Sequence, residues 1–295
     1  SACLVGSEMC IRDRKNAYLW RVYLMKRMPV SRVVGILTDF GTRSQYISEM
    51  KALLICEIPD IRIVDISHQV HRHAVEEGAF LLYAASRWFP EGSILIGVVD
   101  PGVGTARAGL IVSTRRNYYV GPDNGLLFPS IQADGESEAF VIDEAKLPKI
   151  SNVFHGRDVF SRAAIHMLRG RAIEEIAHGV QSIVPLELFK TSIRPDSVNG
   201  KVLFIDDFGN LVTNIKSAPF LDSLPFGSLV KLKLDGRDFG TVVYSDVYGR
   251  VPEGTLMLLK GSELFYEIAI NRGSAADRTG AKVTSEIQIA LLGPQ

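Results

Sequence analysis

Cysteine is scarce in this chain: its 295 residues contain three, Cys3, Cys10 and Cys56. The count is odd and no C-x-x-C pair occurs. Neither a disulfide framework nor a cysteine-built zinc site fits, and a reducing, cytoplasmic setting is expected. Net charge is missing too. Lys plus Arg and Asp plus Glu both number 33, and no basic run stands out, so there is no electrostatic case for a nucleic-acid partner. No apolar run reaches the ~18 residues that would span a bilayer, so no membrane partner is expected. Two nucleotide signatures are also absent. No Gly-Lys-Ser/Thr closes a P-loop, and no Gly-rich nucleotide loop follows the first strand, which argues against an ordinary methyltransferase.

What remains is ordinary globular composition, 46% hydrophobic and 22% charged, with enough chain for one large or two medium domains. Residues 1–31 are set apart. "LVGSEMCIRDR" resembles translated sequencing-adapter read-through, and Glu8, Arg12, Asp13, Arg14 and Lys15 interrupt any signal-peptide core. A non-native or disordered extension is expected there, with Met28 as a candidate start and a native extension as the alternative. From Arg32, "RVVGILTDFG", "IRIVDIS" and "SILIGVVD" read as strands. They alternate with the helical patterns "SQYISEMKALLICEI" and "AVEEGAFLLYAASRWF". That alternation predicts a parallel-sheet α/β domain over 32–190. "VPLELFKTSIRPDSVNG" is a candidate linker. Short strands with Gly-rich turns over 198–295 predict a smaller all-β domain, an antiparallel barrel or sandwich.

The chemistry concentrates at strand ends, where open α/β sheets bind ligands. "VVDPGVGTAR" places Asp100 and Arg107 on a loop stiffened by Pro101, with Gly102 and Gly104 allowing close backbone approach. Read alone, this is equally a tight turn with Asp as its local cap. Asp39 in "LTDFG", Asp65 and His68 in "VDISH", and Asp123 and Asn124 in "VGPDNG" occupy similar positions. Each is ordinary turn chemistry, but together they would ring one cleft. "FHGRDVF" adds Phe154 and His155 ahead of a helix, with Arg157 and Asp158 as a simple ion pair at its start. His68, His71 and His73 have the wrong spacing for a helical metal site, so no metal is expected. "DDFGNLVTNI" supplies Asp206, Phe208 and Asn210, side chains suited either to ribose and purine or to a hairpin turn.

In this order, "LTDFG", "VDISH", "VEEGAFLL", "VVDPGVGTAR", "VGPDNGLL", "FHGRD", "DDFGNLVTNI" and "YEIAINRGSAA" resemble the S-adenosylmethionine (SAM) hydroxide adenosyltransferase family, relatives of the SAM-dependent chlorinases and fluorinase. The resemblance covers nearly all the chain beyond the N-terminal stretch, and its combination of motifs is specific although no single one is. It implies an Asp-Arg-His triad around a water, falling on Asp100, Arg107 and His155. In the halogenase branch the loop aspartate and this histidine are absent, so the sequence looks like a hydrolase. The resemblance also implies that Asp39 binds the ribose diol. It sets Asp206 and Asn210 by the methionine moiety and ribose, Phe154 and Phe208 near the nucleoside, and Asn271, Ser274 and Ala275 along the adenine edge. It further implies a homotrimer with sites at subunit interfaces. There are departures: His73 and Ala74 stand where relatives carry a bulky residue and an acid, and Ser274 where Asn is usual.

The implied reaction is displacement at the ribose C5′ of SAM by water, giving adenosine and L-methionine. The sulfonium already makes methionine a neutral leaving group, so no cofactor is expected; SAM is the substrate. Asp100 and His155 would orient the water and take up its proton while Arg107 fixes the aspartate. Two alternatives stay open: a halogenase-like transfer in which halide replaces water, and a SAM- or adenosine-binding protein without turnover.

Overall fold

In the computed structural model, which describes residues 29–292, the first half of the chain builds one seven-stranded sheet. Its strands are β1 (Val33–Thr38), β2 (Arg62–Ser67), β3 (Ile94–Val98), β4 (Gly109–Thr114), β5 (Tyr118–Pro122), β6 (Ser137–Ile142) and β7 (Ala177–Val180). Helices α1 (Tyr46–Glu57), α2 (Val75–Ser86), α3 (Phe128–Asp134) and α4 (Arg162–Leu168) complete the layers. The strand order is β2-β1-β3-β5-β4-β6-β7. The first four strands of that order are parallel. Three of them, β1, β2 and β3, are the strands whose apolar runs alternate with helices, while β5 arrives through β4. The remaining three add antiparallel, because the polar turn between β4 and β5 is too short for a crossover and returns the chain as a hairpin. The sheet is therefore mixed, its parallel half carrying the strand-end acids.

Central strands β3, β4 and β5 are buried throughout, matching their continuous hydrophobic runs. One face packs Ile36, Ile96, Ile111 and Val120 against Met50, Leu54, Val159 and Phe160. The opposite face packs Leu37, Leu95 and Tyr119 against Phe80, Leu82 and Leu126.

The second half is a barrel. Strands β8 (Ser192–Ile193), β9 (Ser197–Ile205), β10 (Leu211–Thr213), β11 (Leu229–Leu234), β12 (Arg237–Tyr244), β13 (Leu256–Lys260), β14 (Tyr266–Ile270) and β15 (Glu286–Leu291) run with two short helices, α5 (Pro219–Asp222) and α6 (Ala275–Thr279). The order is β10-β14-β13-β12-β11-β15-β9, closed by β10 pairing with β9, while β8 adds outside β9. Closure settles the choice between barrel and sandwich. One pair, β12 and β13, is parallel, with Val243 opposite Met257. The stretch joining them contains a 3₁₀ turn, Tyr248–Arg250. It crosses the barrel end instead of turning tightly, as a parallel pair requires.

The barrel docks on α2. Phe80 meets Phe265 edge-on at 5.5 Å, Lys201 Nζ pairs with Glu76 at 2.5 Å, and Lys216 Nζ lies 4.4 and 4.5 Å from the Tyr83 and Phe189 ring centres. Leu203, Val212 and Phe265 of the barrel share a hydrophobic cluster with Leu37 and Phe80 of the sheet domain. Most of the N-terminal extension expected over 1–31 lies outside the described residues. Its last residue, Ser31, donates its N–H to the Gly92 carbonyl at 2.8 Å.

Candidate active site

Just beyond β3 the chain turns sharply. The Gly102 N–H donates to Asp100 Oδ1 at 3.1 Å, and Thr105 Oγ donates to the Gly102 carbonyl at 2.7 Å. This is the local cap expected of an Asp in such a loop, and it also aims the carboxylate. Arg107, at the loop's far end, donates from Nε to Asp100 Oδ1 at 3.0 Å and Oδ2 at 2.9 Å, with Nη2 also reaching Oδ2. The same Nη2 donates to His155 Nδ1 at 2.8 Å. A guanidinium carries donors only, so Nδ1 is an acceptor here and the neutral imidazole carries its proton on Nε2. The three predicted triad residues thus form one connected group, with Arg107 at its centre.

All three are buried. The Asp100 and Arg107 side chains are 5% and 9% exposed, so their charges face each other largely out of water. Burial holds His155 below the usual imidazole range; Glu144 opposes that shift and Arg107 adds to it. Phe160 floors the group, with the Arg107 Cζ 5.4 Å from its ring centre and the His155 ring edge-on at 6.4 Å.

The helix after His155 departs from expectation. "GRDVFSRAAIHML" begins with a π-helical stretch, Gly156–Ser161, before α4. Ser161 Oγ donates to the Gly156 carbonyl at 2.8 Å, stitching the widened turn. Gly156 has no room for a side chain, since a Cβ would sit 3.0 Å from both Met50 Sδ and Phe154. Such π stretches recur at functional sites. The Arg157–Asp158 pair forms as expected, with both bonds 2.9 Å.

Asp39 follows β1 and accepts the His73 N–H at 2.9 Å through Oδ2. His73 has φ +66°, a left-handed conformation uncommon for a residue with a side chain. The departure from family pattern at His73 therefore sits against the acid expected to hold ribose. Phe154 lies in a ring cluster with Phe40 at 5.8 Å and Tyr46 at 5.0 Å, two residues the sequence reading left out. His68 is buried on Thr38, its Nδ1 3.0 Å from Oγ. Among the described residues, no group of three or more His, Cys, Asp or Glu is arranged to hold a metal ion.

The barrel residues form a second group. Asp206 Oδ1 accepts the N–H groups of Phe208 at 3.0 Å and Asn210 at 2.8 Å, and Oδ2 accepts Asn210 Nδ2 at 2.8 Å. Gly209 closes this turn at φ +81°, and its carbonyl accepts the Ala276 N–H at 2.9 Å. A Cβ there would run into Ser274 Oγ at 2.1 Å, so only glycine lets the "NRGSAA" segment lie against the hairpin. Ser274 caps α6 through Asp277 N, Asn271 Nδ2 donates to the Val251 carbonyl at 2.8 Å, and Ala275 is buried in the barrel core. Phe208 stands 79% exposed at the tip. Among the described residues, no hydrogen bond or ring contact joins this group to Asp100, Arg107 and His155.

Glu267 lies close to Asp206 and was missed in the sequence, where it sits unmarked in an apolar strand. Burial foremost, then the Asp206 charge, push its carboxyl up to about 7. A raised carboxyl pKa means the folded state gives up its proton less readily than the unfolded chain. The stability this group contributes is therefore fully present below the ordinary carboxylate value and is lost as pH rises through about 7. Glu267→Gln is expected to raise the melting temperature at pH 8, by on the order of 2 kcal/mol of stability, and to change it little at pH 4.5. Equal melting curves at pH 8 would contradict this.

Comparison with known proteins follows the same two-part layout. The pattern of the SAM hydroxide adenosyltransferase N-terminal domain matches residues 34–177, and that of the C-terminal domain matches residues 200–288. The (R)-S-adenosyl-L-methionine hydrolase of Thermus thermophilus is 35% identical over 262 residues, covering 85% of this chain and 96% of that protein. A fluorinase of an Actinoplanes species is more distant, 25% identical over 236 residues and 69% of this chain. A crystal structure of an uncharacterized conserved protein from Thermotoga maritima superposes with a TM-score of 0.82 at 33% identity, over 87% of this chain and 99% of that one. The matches run from the first strand of the sheet into the last strand of the barrel, over the domains that carry the strand-end carboxylate, its arginine and histidine, and the barrel turn: the chain belongs to the SAM hydroxide adenosyltransferase family.

Proposed function

We propose that this chain hydrolyses SAM to adenosine and L-methionine, with Asp100, Arg107 and His155 as its catalytic residues. The observation that carries the reading is the buried Arg107 guanidinium, which donates to Asp100 and His155 at once. Water attacks C5′ in line with the C5′–S bond. A C–O bond forms, the C–S pair leaves on sulfur as a neutral thioether, and the water loses one proton. Holding water and substrate in that line contributes about 7–11 kcal/mol in well-oriented systems. His155 Nε2–H, free of the Arg107 contact, is the donor suited to the water oxygen. Asp100 is the nearby carboxylate suited to its proton, with Arg107 fixing its plane. The sulfonium supplies the activation, so the reaction as written calls for no cofactor and no metal. A carboxylate in this position disfavours a halide nucleophile.

The test is incubation of the purified protein with SAM, in chloride and in chloride-free buffer, followed by chromatography. Adenosine and methionine support the reading. 5′-Chloroadenosine would transfer the chain to the halogenase-like reading, and unchanged SAM would leave a binding protein.

Within the same proposal, Asp39 holds the ribose diol through Oδ1, its Oδ2 being engaged by His73. Phe154 lines the nucleoside pocket, and Asp206, Asn210, Phe208 and the 271–275 segment complete it. The completing group comes from a neighbouring chain in a homotrimer. Two observations support this: among the described residues no hydrogen bond or ring contact joins the barrel group to the triad, and Phe208 presents a bare ring to solvent. Equimolar Asp100→Ala and Asn210→Ala chains, each inactive alone, are then expected to regain activity after subunit exchange, with about a quarter of interfaces carrying neither change. Mixtures that stay inactive after demonstrated exchange would mean that each chain holds its own complete site. A cytoplasmic setting belongs to this reading too, supported by the exposed free thiol of Cys56; among the described residues no helix is long and apolar enough to cross a membrane.

A further inference from the structure

The imidazole of His155 has a second charged neighbour that the reaction above does not use. Glu144, in a 3₁₀ turn (Glu144–Lys146) after β6, places Oε1 3.6 Å from His155 Nδ1. Its other oxygen, Oε2, pairs with Lys149 Nζ at 2.5 Å. The turn is itself held: Asp143 Oδ1 accepts the Ala145 N–H at 3.2 Å and the Asp143 N–H donates to the Ile176 carbonyl at 2.8 Å. Glu144 and Lys149 are 28% and 26% exposed, so the pair lines the rim of the site rather than open solvent.

Two arrangements of Nδ1 compete. In the neutral ring it accepts from Arg107 at 2.8 Å. Once protonated it can only donate, and it then faces an Arg107 N–H that is also a donor. Glu144 Oε1, 3.6 Å away, is an acceptor that a small movement of either side chain brings into hydrogen-bond range. We propose that Glu144, tethered by Lys149, is a positioning residue for the triad: it offers the alternative partner for His155 Nδ1 and so sets the pH at which His155 exchanges its Arg107 contact for a proton. The charged groups facing His155 are Asp100 and Arg107 from the loop after β3, and Glu144 and Lys149 from the segment after β6. The carboxylates favour the protonated ring and the cations oppose it. This pairing gives the two rim residues opposite signs, which a purely structural role would not.

The proposal rests on the reading of His155 as working in its neutral form, but its test does not require turnover. The full-length protein, labelled at histidine Cε1, is titrated by NMR, with the His155 signal assigned from its loss in His155→Gln. Glu144→Gln is expected to lower the His155 midpoint by about half a pH unit or more, and Lys149→Met to raise it by a similar amount. The acidic limb of kcat/KM should move with each midpoint in the same direction. Midpoints that stay put, or that shift the same way in both variants, would overturn the proposal. If the midpoints shift as stated while no adenosine forms from SAM, the electrostatic assignment stands and the catalytic reading falls.

Discussion

Asp100→Asn is expected to lower kcat for SAM hydrolysis by about 100-fold, within the range general-base assistance supplies, while the Kd for SAM changes only a few-fold. The substitution keeps the shape of the side chain and removes its charge. It also turns one acceptor oxygen into a donor NH₂ facing the Arg107 donors that now meet Oδ1 and Oδ2 at 3.0 and 2.9 Å. One of those bonds must break. Arg107 then has freedom to leave His155 Nδ1, so on the proposed mechanism the variant loses its base and disturbs the ring assigned to orient the water. Equilibrium dialysis with SAM and a melting curve separate this from misfolding. A variant that turns over at the parent rate would remove Asp100 from the chemistry altogether.

Phe160→Ala is expected to lose about 3–5 kcal/mol of stability, a fall in melting temperature of roughly 10 °C for a chain of this size. Phe160 is fully buried in the cluster with Ile96, Ile111 and Val120. A Cβ at Gly109 would lie 3.2 Å from its ring, so the surroundings have little slack to refill the space. The same ring underlies Arg107 and touches His155, so kcat should fall further than the population of folded protein does. Phe160→Leu, which leaves a smaller cavity, should recover most of the stability and part of the rate. A melting temperature within about 2 °C of the parent would show that the ring does not bear on the core.

The parts of this site legible in the sequence are those that local chemistry dictates. An apolar run ending in Asp-Pro-Gly can hardly be other than a strand turning into a tight loop, so Asp100 and Arg107 could be placed before any coordinates. Asp206 and Asn210 followed from turn chemistry in the same way. What was not legible depends on register and distance. Nothing in "VIDEAKLPK" marks Glu144, because its nearness to His155 exists only after β6 has paired beside β4. The π stretch is hidden too, since "GRDVFS" has the composition of any helix start and its widening is stitched by Ser161 across the turn. The parallel pair in the barrel turns on where the 3₁₀ turn at Tyr248 lies, not on strand propensity. Family resemblance implied roles that spacing alone could not, such as the proposed ribose contact of Asp39.

The barrel's closure also orders events in time. β9 is the first long strand of the domain to leave the ribosome, yet its long partner is β15, with Ser197 opposite Ala290 and Lys201 opposite Glu286. β10 likewise waits for β14, where Leu211 meets Ile268. The sheet domain finds its partners earlier, β1 pairing with β2 and β3 within its own half. During synthesis the sheet half can therefore fold while β9 still shows an open edge, the kind of edge that recruits other chains. Short β8 pairs with the other edge of that strand, Ile193 opposite Val198, and leaves the β15 edge uncovered. The β15 edge of β9 is thus the last seam of the barrel to be sewn, by a strand that ends only a few residues before the chain does.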